Sequence, residues 1–488
     1  MSSLKSKVAS SVKLTSLSTI VTGILQVIQL IVLGRVLGPE IFGIIALVQI
    51  VIQFSQMYMD MGITDAIIQK EKISKIELSS LYWFSIITGF VMFLILFLVA
   101  PFIAGMFQEQ QLTGLIQVVG VSFVIIPFGL QFQTIASKNL DFSNISKNEI
   151  ISTVAGVLIT ISLAAYFNFG AWSLVFGHIV MTLFRTLPWV IIGFRDPDTR
   201  PMFIFSWIKI KDLIIFGMYR LGTTTANFFN TKLDQIIIGI MMGPQILGYY
   251  SMAMNLIMQP IQKLNPMITR VSFPVFSKIQ NDKMRLQKGY LFIIKLIMTL
   301  NAPFFAGLIV LAPYIIPIVL GEEWANIILI VQILSFYALF RALGNPSGSL
   351  FIAVGKVRWS FYWQVALLFI VPAVVYFSSL SGEIAIVALA MGLLRFVLFF
   401  VNYFCRIRFI IGDSFGSLMK SIFIPISHSI IMMIILQALI LQFTDFSGTS
   451  IIIINVVAGV IIYSLLMFVF QRSLINEVRN FFMKKAAV

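Results

Sequence analysis

The sequence predicts an all-α integral membrane protein of about 14 transmembrane helices, built as two parallel six-helix lobes followed by a C-terminal helix pair. Three observations carry this. Of 488 residues, 59% are apolar and only 11% charged, against about 25% charged in an average soluble chain, and the mean hydropathy is +0.99. The basic residues collect in alternate loops. A glycine-proline pattern occurs twice, once in each half. The composition excludes a soluble domain and a disordered chain. The single Cys405 excludes a disulfide framework within the chain.

A hydrocarbon crossing takes about 20 mainly apolar helical residues, and the breaks between such stretches are charged or rich in Gly and Pro. The first thirteen residues, with Lys5, Lys7 and Lys13, lead without a small-residue cleavage site into the first stretch, which reads as a retained span. Spans at 14–33 and 42–62 flank Gly38-Pro39. Spans at 81–104 and 113–135 follow the Lys70, Lys72 and Lys75 cluster and run towards Lys138. Spans at 149–168 and 171–193 lie between Lys147 and Arg195. After a polar linker, 214–241 and 247–274 flank Gly243-Pro244. The second of these, with Pro260, Pro266 and Pro274, and the next, 290–318, with Pro303, Pro313 and Pro317, read as broken by proline. Spans at 324–345, 359–379, 383–404, 418–442 and 449–471 complete the set, the last three being clean.

Charge tests the count, because short cytoplasmic loops carry the excess of Lys and Arg. With the N-terminus inside, the inner segments hold Lys5, Lys7 and Lys13, then Lys70, Lys72 and Lys75, then Lys138 and Lys147, then Arg195, Arg200, Lys209 and Lys211. They go on to Lys278, Lys283, Arg285 and Lys288, Lys356 and Arg358, Arg406, Arg408 and Lys420, and Arg472, Arg479, Lys484 and Lys485. The outer loops hold Arg35 as their basic residue, with Glu40, Glu109, Glu322, Glu323, Glu383 and Asp445. A wrong count would scramble this sorting, so both termini are expected in the cytoplasm. The net charge of +15 thus reads as topology and not as nucleic-acid binding, and no loop interleaves basic and aromatic residues as a single-strand platform does.

Leu33-Gly34-Arg35-Val36-Leu37-Gly38-Pro39-Glu40-Ile41-Phe42-Gly43 and Ile238-Gly239-Ile240-Met241-Met242-Gly243-Pro244-Gln245-Ile246-Leu247-Gly248 both read G-x-x-x-G-P-x-x-x-G. Gln117 and Gly129 on span four match Gln332 and Gly344 on span ten. Six spans per repeat is an even number, so the lobes are parallel, related by an axis along the membrane normal. The expected division is an N-lobe over 1–194, a cytoplasmic amphipathic linker over 195–213, a C-lobe over 214–404, and helices 13 and 14 with a cytoplasmic tail over 405–488. The linker, with Phe205 and Trp207 beside Lys209 and Lys211, reads as an interfacial segment.

Arg185, Arg220, Lys232, Lys263, Arg270, Lys295, Arg341 and Arg395 fall within spans, with Asp60 and Asp234 as the acids. A Lys or Arg at a helix centre costs roughly 2.5–3.5 kcal/mol even on lenient insertion scales. Lys295 and Arg341, near inner ends, can snorkel; the others need water, partners or a ligand. At about 100° per residue, Asn255, Gln259, Gln262, Lys263, Pro266 and Arg270 share one face of span eight. Arg220, Thr224, Asn227, Thr231, Asp234 and Gln235 share one face of span seven, with Lys232 to one side. Span two offers Gln49, Gln53, Gln56 and Asp60, and span one a weaker row of Thr15, Thr19, Thr22 and Gln26. Four polar faces cannot all meet lipid, and together they predict a hydrated central cavity. Its cations, Arg220, Lys232, Lys263 and Arg270, suit a phosphate or pyrophosphate. Asp234 either pairs with Arg220 or Lys263 or couples to an ion; Asp60 either caps the end of span two or does the same.

Motifs of nucleotide-binding, zinc-protease or serine-hydrolase type are missing from the sequence. His178 and His428 lack metal-ligand spacing and read as packing residues, so no catalytic or metal site and no enzyme is predicted.

Leu33 to Gly43, and Leu233-Asp234-Gln235-Ile236-Ile237-Ile238-Gly239 followed by Gly243-Pro244 and Gly248-Tyr249-Tyr250, resemble the signatures of bacterial polysaccharide biosynthesis/export proteins. These are flippase-like members of the multidrug/oligosaccharidyl-lipid/polysaccharide exporter superfamily, in the branch of colanic acid and teichuronic acid exporters. The resemblance spans nearly the whole chain; it departs at Ile240, which stands where the first repeat has Arg35. It implies a V-shaped, MATE-like pair of lobes in a bacterial cytoplasmic membrane. The implied cargo is a polyprenyl-pyrophosphate-linked oligosaccharide repeat unit, carried to the outer leaflet for exopolysaccharide or cell-wall polysaccharide assembly alongside polymerase and export machinery. No cofactor is implied beyond a Na+ or H+ gradient coupled through Asp234 or Asp60. The alternative is a drug/cation antiporter of the same superfamily.

Overall fold

In hydrocarbon each backbone amide must be paired within its own segment, so a chain this apolar folds into long helices. The computed structural model describes residues 2–442, 447–472 and 474; the side chains of residues 2–13 and of Arg220, Thr223, Lys263, Leu264, Pro266, Met267, Thr269, Arg270, Val271, Pro274 and Val357 lie outside that description. The helices are α1 (Ser2–Asp60), α2 (Ile63–Gln69), α3 (Lys75–Met106), α4 (Gln111–Lys138), α5 (Phe142–Ala165), α6 (Trp172–Arg195), α7 (Trp207–Lys278), α8 (Lys283–Leu320), α9 (Ile327–Leu343), α10 (Asn345–Ala353), α11 (Val357–Ser379), α12 (Ile384–Asn402), α13 (Arg408–Ile411), α14 (Phe415–Gln442) and α15 (Gly448–Phe470). No strand occurs among the described residues.

Twelve helical stretches among the described residues are long and apolar enough to cross a membrane. Two are far too long for one crossing: Leu14–Asp60 has 47 residues and Trp207–Gln262 has 56, about 70 and 84 Å at 1.5 Å per residue, against a hydrocarbon core of about 30 Å. Each is broken at the motif glycine. Gly38 sits at φ 69°, ψ 172° and Gly243 at φ 82°, ψ 174°, a conformation all but reserved for glycine. Pro39 and Pro244 follow at the first position of the new helix, where the missing N–H costs nothing. The two copies of the motif thus have one backbone geometry.

The prolines elsewhere act differently from the sequence reading. Pro303, Pro313 and Pro317 lie inside α8, which is continuous over 38 residues, and Pro260 lies within α7. Helices in a bilayer tolerate such residues because neighbouring groups take up the freed carbonyls.

The chain forms two compact units, Met1–Gly248 and Tyr249–Val488. In the first, Ile63, Ile67, Leu81, Ile210 and Ile214 make one apolar cluster, and Tyr82, Phe132 and Trp189 another. α3 starts with a reciprocal cap in which Ser74 Oγ accepts from Glu77 N and the Glu77 carboxylate accepts from Ser74 N; Lys70 holds the same carboxylate at 2.8 Å. Residues 196–206 cross the surface of α3 as a non-helical strap. In the second unit, Asp282 caps α8 by accepting from Met284 N and Arg285 N, and α8, α14 and α15 share a core of Val310, Leu311, Met432, Leu436 and Ile451. A turn of π-helix, Tyr403–Ile407, follows α12.

Candidate functional site

In the first unit, the second half of α1 (39–60) and the first half of α7 (207–242) pack along a common seam, and their glycines explain how. A β-carbon on Gly43 would stand 1.8 Å from Pro244 O, and one on Gly248 would stand 1.8 Å from Pro39 O. Each motif copy therefore lays its last glycine on the other's proline. At the far end of the seam, a β-carbon on Gly217 would lie 2.0 Å from Met61 O, and one on Gly62 (φ +71°) 2.6 Å from Gly217 Cα. Between these closures Phe54 meets the rings of Phe228 and Phe229 at 5.4 and 5.9 Å, and Thr225 Oγ1 donates to Tyr58 Oη at 3.3 Å. Close backbone approach through small residues is how helices associate where lipid supplies no hydrophobic drive.

Several of the polar residues singled out by periodicity are carried by the two helices of this seam. Gln53 and Asn227, each next in sequence to a seam phenylalanine, are exposed, Gln56 and Thr231 are half-buried, and Gln26 on the first half of α1 is exposed. Thr231 turns its hydroxyl back onto Asn227 O and Phe228 O. Lys232 is half-buried and donates to Gln235 Oε1 at 3.3 Å. Asp234 is only 4% exposed, with Oδ1 accepting Gln235 N at 2.9 Å. Asp60 accepts both the amide and the hydroxyl of Thr64, the latter at 2.6 Å, and so holds the turn from α1 into α2. Gln49 lines a small pocket together with Ile45, Val48, Val119, Val175 and His178. His178 Nε2 is buried there without a hydrogen-bond partner.

In the second unit Asn255 and Gln262 are exposed and Gln259 is half-buried. The predicted cations Arg220, Lys263 and Arg270 have side chains outside the described residues. α8, α14 and α15 enclose an apolar groove of about 430 Å³ lined by Leu300, Phe304, Leu308, Met432, Val456 and Val460, with Asn455 and Tyr463 as polar points on its wall.

Sequence patterns missed one buried cation. Arg406, counted with the inner loops, is 8% exposed. Its guanidinium donates to Asn402 Oδ1 at 2.9 Å and Trp359 O at 3.0 Å, and lies over the rings of Phe351 (4.0 Å) and Trp363 (4.9 Å). The signal that could have found it is Asn402 four residues before it, with Trp359 and Trp363 on one face of α11.

Residues 32–329 match the model of a family described as polysaccharide biosynthesis protein. The chain is 31% identical over 438 residues to the lipopolysaccharide biosynthesis protein WzxC of Escherichia coli (strain K12), covering 90% of this chain and 88% of that one. It is 29% identical over 437 residues to the teichuronic acid biosynthesis protein TuaB of Bacillus subtilis (strain 168), covering 88% and 89%. Its fold resembles that of a solved lipid II flippase MurJ in an inward closed conformation, with a TM-score of 0.75 at 15% identity over 95% of this chain and 99% of that one. With long helices broken at paired glycines, twelve apolar stretches long enough to cross a membrane among the described residues, and kinship along nearly its whole length, the chain belongs to the polysaccharide biosynthesis protein family, as a multi-pass membrane transporter.

Proposed function

We propose that this protein carries polyprenyl-pyrophosphate-linked oligosaccharide repeat units from the cytoplasmic to the outer leaflet of a bacterial cytoplasmic membrane, for exopolysaccharide or cell-wall polysaccharide assembly. The observation that carries the reading is end-to-end kinship with proteins named for lipopolysaccharide and teichuronic acid biosynthesis. Three physical features support it. Arg220, Lys232, Lys263 and Arg270 put more positive charge within the spans of α7 than Asp234 can balance, which suits a pyrophosphate moving through a site of low dielectric. Exposed amides such as Gln53, Asn227 and Asn255 suit sugar hydroxyls. The apolar groove of α8, α14 and α15 suits an isoprenoid tail.

In this reading α1 and α7 each cross twice, on either side of Gly38 and Gly243, giving fourteen crossings with both termini in the cytoplasm. Transport alternates access to a central cationic cavity, reset by a Na+ or H+ gradient through Asp234, while Asp60 serves the turn it caps. The product is handed to polymerase and export machinery. The test is deletion of the gene followed by extraction of polyprenyl-linked intermediates and assignment of their leaflet. Complete repeat units accumulating on the cytoplasmic face, and cleared by the restored gene, support the reading; an unchanged pool refutes it. Transport in sealed vesicles that ignores both ion gradients removes the coupling.

A further inference from the structure

Residues 196–206 have no helix to satisfy their backbone, and α3 supplies the partners. Met202 N donates to Ser79 Oγ and Ser206 N to Ser80 Oγ, both at 2.9 Å. Trp83 Nε1 donates to Met202 O at 2.9 Å and Lys75 Nζ to Pro197 O. A segment fixed this way cannot fold its apolar side chains under itself. Phe203 stacks on Trp83, with ring centroids 5.2 Å apart, yet is 91% exposed, and Ile208 is 87% exposed, with Phe205 and Trp207 also open. The start of α7 has an apolar inner face of its own, since Ile210 and Ile214 fill the core cluster with Ile63 and Leu81; Ile208 points the other way. A rigid strap thus holds large apolar tips outward beside a basic rim. Lys209 and Lys211 follow Ile208 on the first turn of α7, on either side of the buried Ile210, and Arg195 and Arg200 stand further back, all four cations exposed and without a carboxylate in ion-pair distance among the described residues. Of the nearby acids, Asp196 lies at the opposite end of the strap and turns its carboxylate to Asp198 N, and Asp212 is exposed beside Lys211.

Apolar tips with cations just behind them match the boundary between acyl chains and anionic headgroups. We propose that the strap and the start of α7 form a platform for anionic phospholipid, with Phe203 and Ile208 in the acyl boundary and Lys209 and Lys211 on the phosphate. This rests on the protein being a membrane protein and not on its cargo. The test reconstitutes the full chain in vesicles of equal parts phosphatidylglycerol and phosphatidylcholine, extracts it in mild detergent and counts retained lipids by native mass spectrometry. The wild type retains phosphatidylglycerol in preference. A lysine near an anionic surface contributes about a fivefold gain, so K209Q/K211Q lowers phosphatidylglycerol retention by about 25-fold, while K209R/K211R keeps it and F203S/I208S lowers retention of both lipids. Equal retention of the two lipids by the wild type, an unmoved count in K209Q/K211Q, or an equal fall in K209R/K211R overturns the proposal. Loss of a co-purifying protein with the lipid count unmoved assigns the face to a protein partner and overturns it as well.

Discussion

Replacing Gly43 with alanine puts a methyl carbon where Pro244 O stands 1.8 Å away and Pro244 C 2.5 Å away. A carbon and a carbonyl oxygen rest about 3.3–3.6 Å apart even in close C–H···O contact, so the seam must open by roughly 1.5 Å at this end. The obstructing atoms are backbone and cannot turn aside. Overpacking of this kind costs about 1–3 kcal/mol, a shift of about fivefold to 150-fold towards whatever conformations part the seam. The symmetric change Gly248→Ala meets Pro39 O at 1.8 Å and Gly43 N at 3.1 Å, so it strains the same contact from the other side. One methyl that has already parted the helices leaves room for the second, so the double variant should cost clearly less than the sum. The assay is thiol labelling of Leu47→Cys, a buried seam-side position next to Gly239, after the native Cys405 has been changed to serine. Labelling should accelerate in Gly43→Ala and Gly248→Ala and gain little more in the double variant. Gly105→Ala, where nothing lies within 4 Å, is the control and should label at the parent rate. Parent-rate labelling in both seam variants, or strict additivity, would show that the two motifs do not bear on each other.

Gly38→Ala or Gly243→Ala forces an L-residue into φ 69° or 82° and should cost about 1–3 kcal/mol, seen as a lower thermal midpoint in detergent with the seam contacts themselves unaltered. Asp60→Asn keeps an acceptor for Thr64 while Asp60→Ala removes it, so only the alanine should lose about 1 kcal/mol of stability; equal losses would point to the charge instead. Lys263→Glu or Arg270→Glu should stop export while the protein still reaches the membrane, and unchanged export in both would remove the anion-binding role of α7. Arg406→Met keeps the bulk against Phe351 and Trp363 but leaves Asn402 Oδ1 unmatched, so it should lower the midpoint more than the exposed Arg408→Met does; the reverse order would mean the guanidinium is not the hub of that cluster.

Length, apolarity and the Gly-Pro pair made the helices legible, because crossing a bilayer imposes one rule on every residue and glycine before proline breaks a helix wherever it occurs. Gly38 and Gly243 are legible as breaks from the Gly-Pro pair alone. What the second pair of glycines does is not: Gly43 and Gly248 matter through Pro244 and Pro39, some 200 residues away in sequence, and a period of 3.6 carries no information about what a helix face touches. The burial of Arg406 was missed for a related reason. A charge at a span's end reads as solvated, and its burial depends on rings contributed by α10 and α11. The prolines of α8 misled in the opposite direction, since their cost is set by neighbours that take up the freed carbonyls and not by the residue alone. The polar stripe of α7 was visible as a period, but Thr231 spends its hydroxyl on its own helix, and Gln53 and Asn227 owe their exposure to Phe54 and Phe228 filling the seam beside them.

That seam bears on how a carrier of this fold can move. Alternating access, as proposed, asks two helices to be tightly closed in one state and parted in another without a large barrier between them. Interdigitated leucines would hold firmly but would have to be withdrawn rotamer by rotamer. A seam closed at each end by glycine on backbone, Gly43 and Gly248 above and Gly62 with Gly217 below, has no side chains to withdraw at those points. Its tightness comes from fit between backbones, which parting undoes without a rotamer change at those points. The aromatic middle, Phe54 against Phe228 and Phe229, then supplies most of the dispersion energy that must be given up. Phe54→Ala should therefore speed labelling at Leu47→Cys as the glycine variants do, and less than additively with them, because a seam already opened by Gly43→Ala has given up part of the Phe54 contact.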